Sequence, residues 1–402
     1  MLRVFSILFL CVLCSCSMTQ KFARWAKLDK DNAEPPAPLV EFRQVLNVIE
    51  LWSKNTGSGT EKQYLHLAPA IGNQKLYIVD INGNLESIDA TNGNLLWSKE
   101  IKVNLPSKLK FWSDKETEEI TGGPGYGEDT VMIGTSEGRL LVFAADSGKE
   151  LWQTQLTSEI LSAPQIHDNI VIVRTLDGKI FALDGDNGKR LWIYDRSVPN
   201  LTLRGTSRPV IVDQTVIAGF DGGRLAALDL KTGRLLWEVA VSESRGSTDL
   251  ERMVDIDSTP VVSNGTVFVS TYQGDMVALQ LESGREMWRR SISSYAGFSA
   301  DANNVYVTDE DSTIWAFDRY SGNSVWKQDK LHARQVTGTS VLDKYIVVGD
   351  LEGYLHWLDK DSGNFVARIR PCKDRIIAKP LVVGKFLYAY CSDGKLTAYT
   401  YR

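Results

Sequence analysis

Two segments of the chain combine charged and apolar residues in a way that suits the binding of a protein partner. One segment contributes two leucines and an arginine and the other two aspartates: Leu201, Leu203, Arg204, Asp255 and Asp257. Apolar side chains beside complementary charges form the kind of patch that recognises another protein. The same residues allow an internal alternative, in which Arg204 pairs with Asp255 or Asp257 and the leucines pack inward.

Residues suited to catalysis or metal binding are not grouped in the sequence. The four histidines are scattered, no CxxC is present, and no nucleophile elbow or phosphate-binding loop with its lysine occurs. The glycine-rich run GGPGYG at 122–127 leads into a strand-like segment instead of a helix, which favours a flexible loop over a phosphate cradle. The sequence therefore predicts no catalytic residue, no cofactor and no metal site.

A repeated unit of about sixteen residues positions the two candidate segments. Each copy passes from a turn glycine through an alternating apolar strand to an aspartate, a second glycine and, in most copies, a tryptophan. The copies span 82–97, 137–152, 177–192, 222–237, 273–288, 311–326 and 352–367. Each period holds four short strand-like runs, which is typical of one blade of a β-propeller.

An aspartate that recurs at the same place in several copies of the repeat is expected to stabilise the fold and not to take part in catalysis. Its carboxylate can accept hydrogen bonds from the backbone of the turn that follows. The aspartates concerned are Asp89, Asp184, Asp229, Asp318 and Asp359.

The two ends of the repeat region complete one blade between them. The last copy, at 393–399, stops after its third strand, while the segment 42–52 supplies a strand that ends at Trp52, in the tryptophan position of the repeat. Pairing these strands closes the ring and removes an exposed sheet edge. We therefore expect an all-β, eight-bladed propeller of four-stranded antiparallel blades over 42–402. Ala367 replaces the tryptophan in one copy, and we expect looser packing there.

The N-terminus predicts export and a lipid anchor. A basic start and an apolar run make 1–15 a signal peptide, and LCSC at 13–16 resembles the lipobox of bacterial lipoproteins, which implies lipid on Cys16. An ordinary signal peptide with incidental cysteines is the alternative. Residues 16–41 are polar and contain several prolines, which is typical of a flexible tether.

Charge and cysteine content limit the remaining possibilities. The formal net charge of −5 argues against a nucleic acid as a partner. Apart from Cys16, the mature chain keeps Cys372 and Cys391, and the sequence leaves open whether they form a disulfide or remain free thiols.

The repeat resembles that of the pyrroloquinoline quinone (PQQ) enzymes, and this resemblance implies an alternative function, a PQQ-dependent periplasmic dehydrogenase. Those enzymes are longer and carry adjacent cysteines over the cofactor together with a calcium site. This chain has no Cys-Cys pair. Because a shared repeat implies a shared fold and not a shared activity, the enzyme is the less favoured interpretation.

Lipobox, tether, repeat and the segments LTLRG (201–205), VDIDSTP (254–260) and GDLEGYLHW (349–357) together resemble the BamB lipoproteins of the bacterial outer-membrane β-barrel assembly machinery. The resemblance implies a non-enzymatic scaffold, lipid-anchored on the periplasmic side of the outer membrane, which binds the POTRA domains of BamA. It places that contact at the five candidate residues of the two segments. Binding of unfolded client strands to exposed strand edges is a further expectation. A general adhesion or peptidoglycan-associated lipoprotein is a third possibility.

Overall fold

The computed structural model describes residues 34–61, 63–102, 118–196, 207–243, 248 and 253–402. These residues form thirty-two strands in eight four-stranded antiparallel sheets. The prediction of an eight-bladed all-β propeller is therefore confirmed. No helix in the described part of the chain is both long enough and apolar enough to cross a bilayer.

Within each blade the strands are named from the innermost to the outermost. Blade 1 holds β2 (Ala70–Gly72), β3 (Lys75–Val79), β4 (Asn84–Asp89) and β5 (Leu95–Glu100). Blade 2 holds β6 (Ile120–Gly127), β7 (Thr130–Thr135), β8 (Arg139–Ala144) and β9 (Glu150–Gln155). Blade 3 holds β10 (Gln165–His167), β11 (Ile170–Arg174), β12 (Ile180–Asp184) and β13 (Arg190–Tyr194). Blade 4 holds β14 (Val210–Val212), β15 (Thr215–Phe220), β16 (Arg224–Asp229) and β17 (Leu235–Ala240).

The second half of the chain repeats the arrangement. Blade 5 holds β18 (Val261–Ser263), β19 (Thr266–Ser270), β20 (Asp275–Gln280) and β21 (Glu286–Ser291). Blade 6 holds β22 (Phe298–Ala300), β23 (Asn304–Thr308), β24 (Ile314–Asp318) and β25 (Ser324–Gln328). Blade 7 holds β26 (Ser340–Leu342), β27 (Tyr345–Gly349), β28 (Leu355–Asp359) and β29 (Phe365–Ile369). Blade 8 holds β30 (Leu381–Val383), β31 (Phe386–Tyr390), β32 (Lys395–Tyr401) and β1 (Val48–Asn55).

Blade 8 closes the ring with strands from both ends of the chain. The N-terminal strand β1 pairs with β32 in antiparallel register from Val48↔Tyr401 to Asn55↔Lys395. The predicted closure is confirmed, and β1 occupies the outermost position of the sheet. Strand β32 thus pairs with a strand that lies more than 300 positions earlier in the chain.

The glycine and tryptophan of the repeat meet across seven of the eight boundaries between blades. The tryptophan Nε1–H donates to a backbone carbonyl of the next blade at 2.6–3.1 Å in seven blades. Its ring covers the turn glycine there; a Cβ on Gly188, for example, would lie 2.5 Å from the Trp152 ring. A side chain at this glycine would displace the ring, which explains why both residues recur together.

The recurring aspartates are turn residues, as predicted. Asp89 accepts hydrogen bonds from the backbone N–H of Thr91 at 2.8 Å and of Asn92 at 3.3 Å. Hydrogen bonds from Thr91 keep the pKa of Asp89 below its ordinary value. Equivalent backbone bonds occur at the other four members of the set: Asp184, Asp229, Asp318 and Asp359.

The glycine-rich run at 122–127 is a strand, so the prediction of a loop was wrong. It belongs to β6, the inner strand of blade 2, which pairs with β7 through two register shifts. A Cβ at Gly125 would lie 2.1 Å from the carbonyl oxygen of Pro164, and one at Gly122 would lie 2.5 Å from that of Ile160. The glycines therefore let an inner strand approach the backbone of the neighbouring blade.

Packing is not loosened where alanine replaces the tryptophan. Ala367 is completely buried, and the chain segment before β1 covers this side of blade 7. We call residues 37–46 the strap. The sequence assigns 37–41 to the tether, whereas Ala37 exchanges backbone and side-chain hydrogen bonds with His332 and Arg334, both of which precede blade 7. Trp357 on the neighbouring strand pairs with Ala367, the reverse of the alanine–tryptophan pair in blades 3 and 4, and supplies the missing ring.

Of the two alternatives for the cysteines, the structure has the disulfide. Cys372 and Cys391 are bonded, with their Cα atoms 5.7 Å apart. Both are buried, and they connect the segment that enters blade 8 to the end of β31.

Candidate partner-binding site at the interblade crossings

The candidate site residues fall into two groups. Leu201, Leu203 and Arg204 lie outside the described residues, as does the lipidation candidate Cys16. Asp255 and Asp257 lie on the crossing from β17 of blade 4 to β18 of blade 5. The described part of the site is therefore the crossing between β17 and β18, with the residues packed against it.

Asp255 holds the crossing in place from inside the protein. The side chain is 1% exposed, and its Oδ1 accepts a hydrogen bond of 2.9 Å from the backbone N–H of Gly222 in the β15–β16 turn. Its own carbonyl oxygen accepts one from the N–H of Tyr272. The sequence suggested a surface patch that includes Asp255. The structure shows instead a buried bracing residue, because the turn beside it carries a backbone donor that needs a partner.

The crossings on either side of blade 4 are neighbours, as their order along the chain predicts. The hydroxyl of Ser207 donates to the carbonyl oxygen of Ser258 at 2.9 Å and joins them directly. Both crossings also pack against Gly219, where an added Cβ would lie 2.3 Å from Ile256 and 3.1 Å from the Ser207 hydroxyl. The predicted adjacency of Leu203 and Asp257 themselves remains a prediction, since Leu203 lies outside the described residues.

A buried ion pair lies beneath the second crossing. Arg174 ends strand β11 and its Nη2 lies 3.1 Å from Oδ1 of Asp221, with 1% and 4% of the two side chains exposed. The guanidinium also stacks over the ring of Phe220, while its Nε and Nη1 have no hydrogen-bond partner in the described part of the chain. This pair was not predicted from the sequence. An arginine at the end of the otherwise apolar run NIVIV was its only signal.

Asp257 is the chemically unusual member of the site. Both carboxylate oxygens are buried and have no hydrogen-bond partner among the described residues. Burial, with the nearby carboxylates of Asp255 and Asp221, raises the pKa of Asp257 to about 7, against the opposing charge of Arg174. A buried carboxylate with a raised pKa of this kind marks Asp257 as a candidate functional residue.

The substitution Asp257→Asn should change the pH dependence of stability. Because the folded-state pKa lies above the unfolded value, folding takes up a proton between about pH 4 and pH 7, and stability declines as the pH rises through this window. Asn removes that ionisation. We expect the variant to gain in unfolding temperature over the parent at pH 8 and to gain less at pH 5, measured by circular dichroism.

The control for this experiment is Asp186→Asn, in an exposed turn. Its effect on the unfolding temperature should be the same at both pH values. A gain for Asp257→Asn that is equal at pH 5 and pH 8 would show that the Asp257 carboxylate does not retain a proton in the fold.

Two features of the described residues bear on a metal or a quinone. No cluster of three or more His, Cys, Asp or Glu side chains in this part of the chain could hold a metal ion. The cavity lined by Tyr64, His66, Tyr295 and Arg375 measures about 20 Å³, which is room for about one water molecule. An organic cofactor needs several hundred Å³, so this cavity does not fit a quinone.

Comparison with known proteins gives the family. Residues 101–328 match the family model described as outer membrane protein assembly factor BamB. The protein of that name from Pseudomonas aeruginosa is 39% identical over 368 residues, which cover 92% of this chain and 93% of the relative. The chain belongs to the BamB family. The Escherichia coli BamB is 34% identical over 91% of both chains.

Solved structures agree with this assignment. The crystal structure of BamB from Moraxella catarrhalis has a TM-score of 0.78 and 27% sequence identity, covering 88% of this chain and 99% of that one. A quinohemoprotein alcohol dehydrogenase from Comamonas testosteroni has a TM-score of 0.68 at 14% identity. That second likeness shows a shared propeller fold alone.

Proposed function

We propose that this BamB-family chain is a non-catalytic scaffold of outer-membrane protein assembly that binds the POTRA domains of BamA. The observation that carries the proposal is membership of a family named for outer-membrane protein assembly, over more than 90% of both chains. The binding surface is formed by the crossings that contain 201–205 and 254–260.

The described crossing has the properties that such a surface requires. Asp255 fixes the backbone from below, and the Ser207–Ser258 hydrogen bond holds the two crossings side by side. Asp257 lies on the same crossing, two residues after Asp255, with a carboxylate whose pKa is raised by burial. A rigid base beneath the loops lowers the entropy lost on binding, which favours recognition. Leu201 and Leu203 then supply apolar contacts and Arg204 a charge.

The anchor completes the proposal. Lipid on Cys16 attaches the chain to the periplasmic side of the outer membrane, and residues 17–36 form the spacer between the anchor and the strap. Fully extended, a spacer of this length reaches about 70 Å at most. The acyl chains supply the membrane affinity and leave the propeller free to bind BamA.

The joint replacement of Leu203 and Arg204 by alanine tests the docking surface. We expect co-purification with BamA to be lost and the thermal unfolding midpoint to stay nearly unchanged, because loop residues on a rigid base contribute little to the fold. Photo-crosslinkers at positions 203 and 257 should form adducts with BamA in cells. Retained binding, a collapsed fold, or adducts with other envelope components alone would each reject this surface.

A further inference from the structure

The strap and the outer part of blade 7 line a cleft of about 400 Å³. Backbone hydrogen bonds hold the strap in place there, since the N–H groups of Val45 and Leu46 donate to the carbonyl oxygen of Val366 at 3.0 Å and 3.2 Å. The volume of the cleft lies in the range of sites that bind small organic molecules. The cleft therefore has room for a ligand, which the cavity near Tyr64 does not.

Arg368 places a positive charge at this cleft. Its Nη1 donates to the carbonyl oxygen of Val40 at 3.0 Å, and its Nε donates to Nδ1 of His356 at 3.2 Å. Burial lowers the pKa of His356, so both acceptors are uncharged at neutral pH. The Nη2 is buried and has no hydrogen-bond partner among the described residues. No carboxylate in this part of the chain is therefore in direct contact with the guanidinium, and its charge is available to an anion.

Arg370 presents a second guanidinium to the same cleft. Its Nε donates to the carbonyl oxygen of Glu352 at 3.0 Å, and the guanidinium lies 5.0 Å from the centre of the Tyr354 ring. Within the described ranges its Nη1 and Nη2 form no hydrogen bond or ion pair. These two nitrogens belong to the planar fork with which arginine binds the oxygens of a phosphate.

A carboxylate and an apolar wall limit the kind of anion that fits. Glu41 of the strap also lines the cleft, is exposed, and forms no hydrogen bond or ion pair with any described residue. A simple anion is repelled by Glu41, whereas a ligand that carries an ammonium beside its phosphate is attracted to all three charged groups. The apolar part of the lining suits hydrocarbon and consists of four half-buried residues: Leu39, Val40, Phe42 and Ile369.

We propose that the cleft between the strap and blade 7 binds the headgroup of a phospholipid that carries both a phosphate and an ammonium, as phosphatidylethanolamine does. Arg368 and Arg370 bind the phosphate, Glu41 binds the ammonium, and the apolar wall contacts the first methylenes of the acyl chains. Basic pockets at a membrane surface recognise lipid headgroups in this way. This inference rests on the proposed function, since the anchor on Cys16 precedes the strap in the chain and brings it to the membrane surface. A bound headgroup then orients the propeller, which a flexible tether alone does not.

Isothermal titration calorimetry tests the site with the mature chain 16–402 carrying C16S, which removes the acyl chains of the anchor. The ligand is dihexanoyl phosphatidylethanolamine below its micelle concentration. We expect this parent chain to bind the lipid and R370Q to bind it about tenfold more weakly, because a charge-assisted contact to the phosphate is lost. The matched control is R234Q, at an exposed arginine in the β16–β17 turn, which should bind like the parent.

The substitution E41Q tests the ammonium separately from the phosphate. It should weaken binding of phosphatidylethanolamine about threefold, as loss of an exposed ion pair predicts. Its affinity for dihexanoyl phosphatidylglycerol, which has no ammonium, should be no lower than that of the parent. Soluble O-phosphoethanolamine should bind the parent more weakly than the lipid does, because it lacks the acyl chains.

Three results would overturn the proposal: no lipid binding by the parent, equal affinities of R370Q and R234Q, or equal affinities of the parent for the lipid and for O-phosphoethanolamine. Co-purification with BamA should be intact in R370Q and E41Q, because neither residue lies in the docking segments. Its loss through Leu203 and Arg204 therefore tests the proposed function separately. The titration in solution does not depend on the anchor, so the two proposals can fail independently.

Discussion

A chain that starts at Thr56, and so lacks β1, should fail to fold into a cooperative propeller. Blade 8 would lose its outer strand, and β32 would present an unpaired edge from Lys395 to Tyr401. Trp52, which donates to Ala90 and covers Gly93 of blade 1, would also be lost. An open ring with a free apolar edge is prone to aggregation. Size-exclusion chromatography and thermal unfolding measure the outcome.

A chain that starts at Asn47 is the matched control, because it lacks the strap and everything before it but retains β1. We expect it to remain monomeric and to unfold cooperatively at a lower temperature than the full chain, since Val366 and Phe365 lose their cover. If the Thr56 chain unfolds at the same temperature as the Asn47 chain, the closing strand does not hold the ring together.

The substitution Asp350→Ala should lower the free energy of unfolding by about 3 kcal/mol, the lower end of the usual cost of breaking a buried ion pair, because Arg334 keeps Glu352 as a second partner. Oδ2 of Asp350 lies 2.8 Å from Nε of Arg334 and 2.9 Å from Nε2 of His356. All three side chains are at most 2% exposed. Arg334 also donates to the carbonyl oxygen of Ala37, so the loss extends to the strap.

Urea unfolding at pH 7.5 measures this loss, with Asp329→Ala as the control. Asp329 lies 3.5 Å from Lys327 in a pair whose side chains are 55% and 58% exposed. Removing such a surface pair changes stability by about 0.5 kcal/mol or less. Equal effects of the two substitutions would show that the buried network does not stabilise blade 7.

The same network makes blade 7 sensitive to acid. Burial alone would raise the pKa of Asp350, but the hydrogen bond from His356 and the charge of Arg334 bring it below the ordinary value. Burial lowers the pKa of His356. Both folded-state values lie below the unfolded ones, so the folded protein binds fewer protons. Stability contributed by His356 therefore declines below about pH 6.5 and that from Asp350 below about pH 4.

Local sequence pattern was sufficient for the fold because each blade repeats one set of local interactions. The turn aspartate, the turn glycine and the tryptophan act within a blade or on the next one, so their spacing appears in the chain as a period. Trp152 and Gly188, for example, belong to consecutive copies. The ring closure was also predictable, since one copy lacks a strand at one end and the other end supplies it.

The candidate site was only partly predictable. The order of the crossings along the chain predicts that Asp255 and Asp257 lie next to the preceding crossing. The hydrogen bond between Ser207 and Ser258 supports this prediction. Burial of Asp255 was not visible in the sequence, because it depends on the Gly222 N–H of a turn 33 residues away. Arg174 and Asp221 were missed for the same reason. Their ion pair connects blade 3 to blade 4, and the sequence spacing between the two residues is not part of the repeat.

The sequence by itself determined the number of blades, the strands in each and the order in which they close, since those features follow from short-range patterns and chain connectivity. Tertiary structure alone decided that the strap packs on blade 7 and buries Val366. These outcomes depend on where a non-repeating segment packs. Its contacts lie some 300 residues away in the chain, and no local pattern encodes that distance.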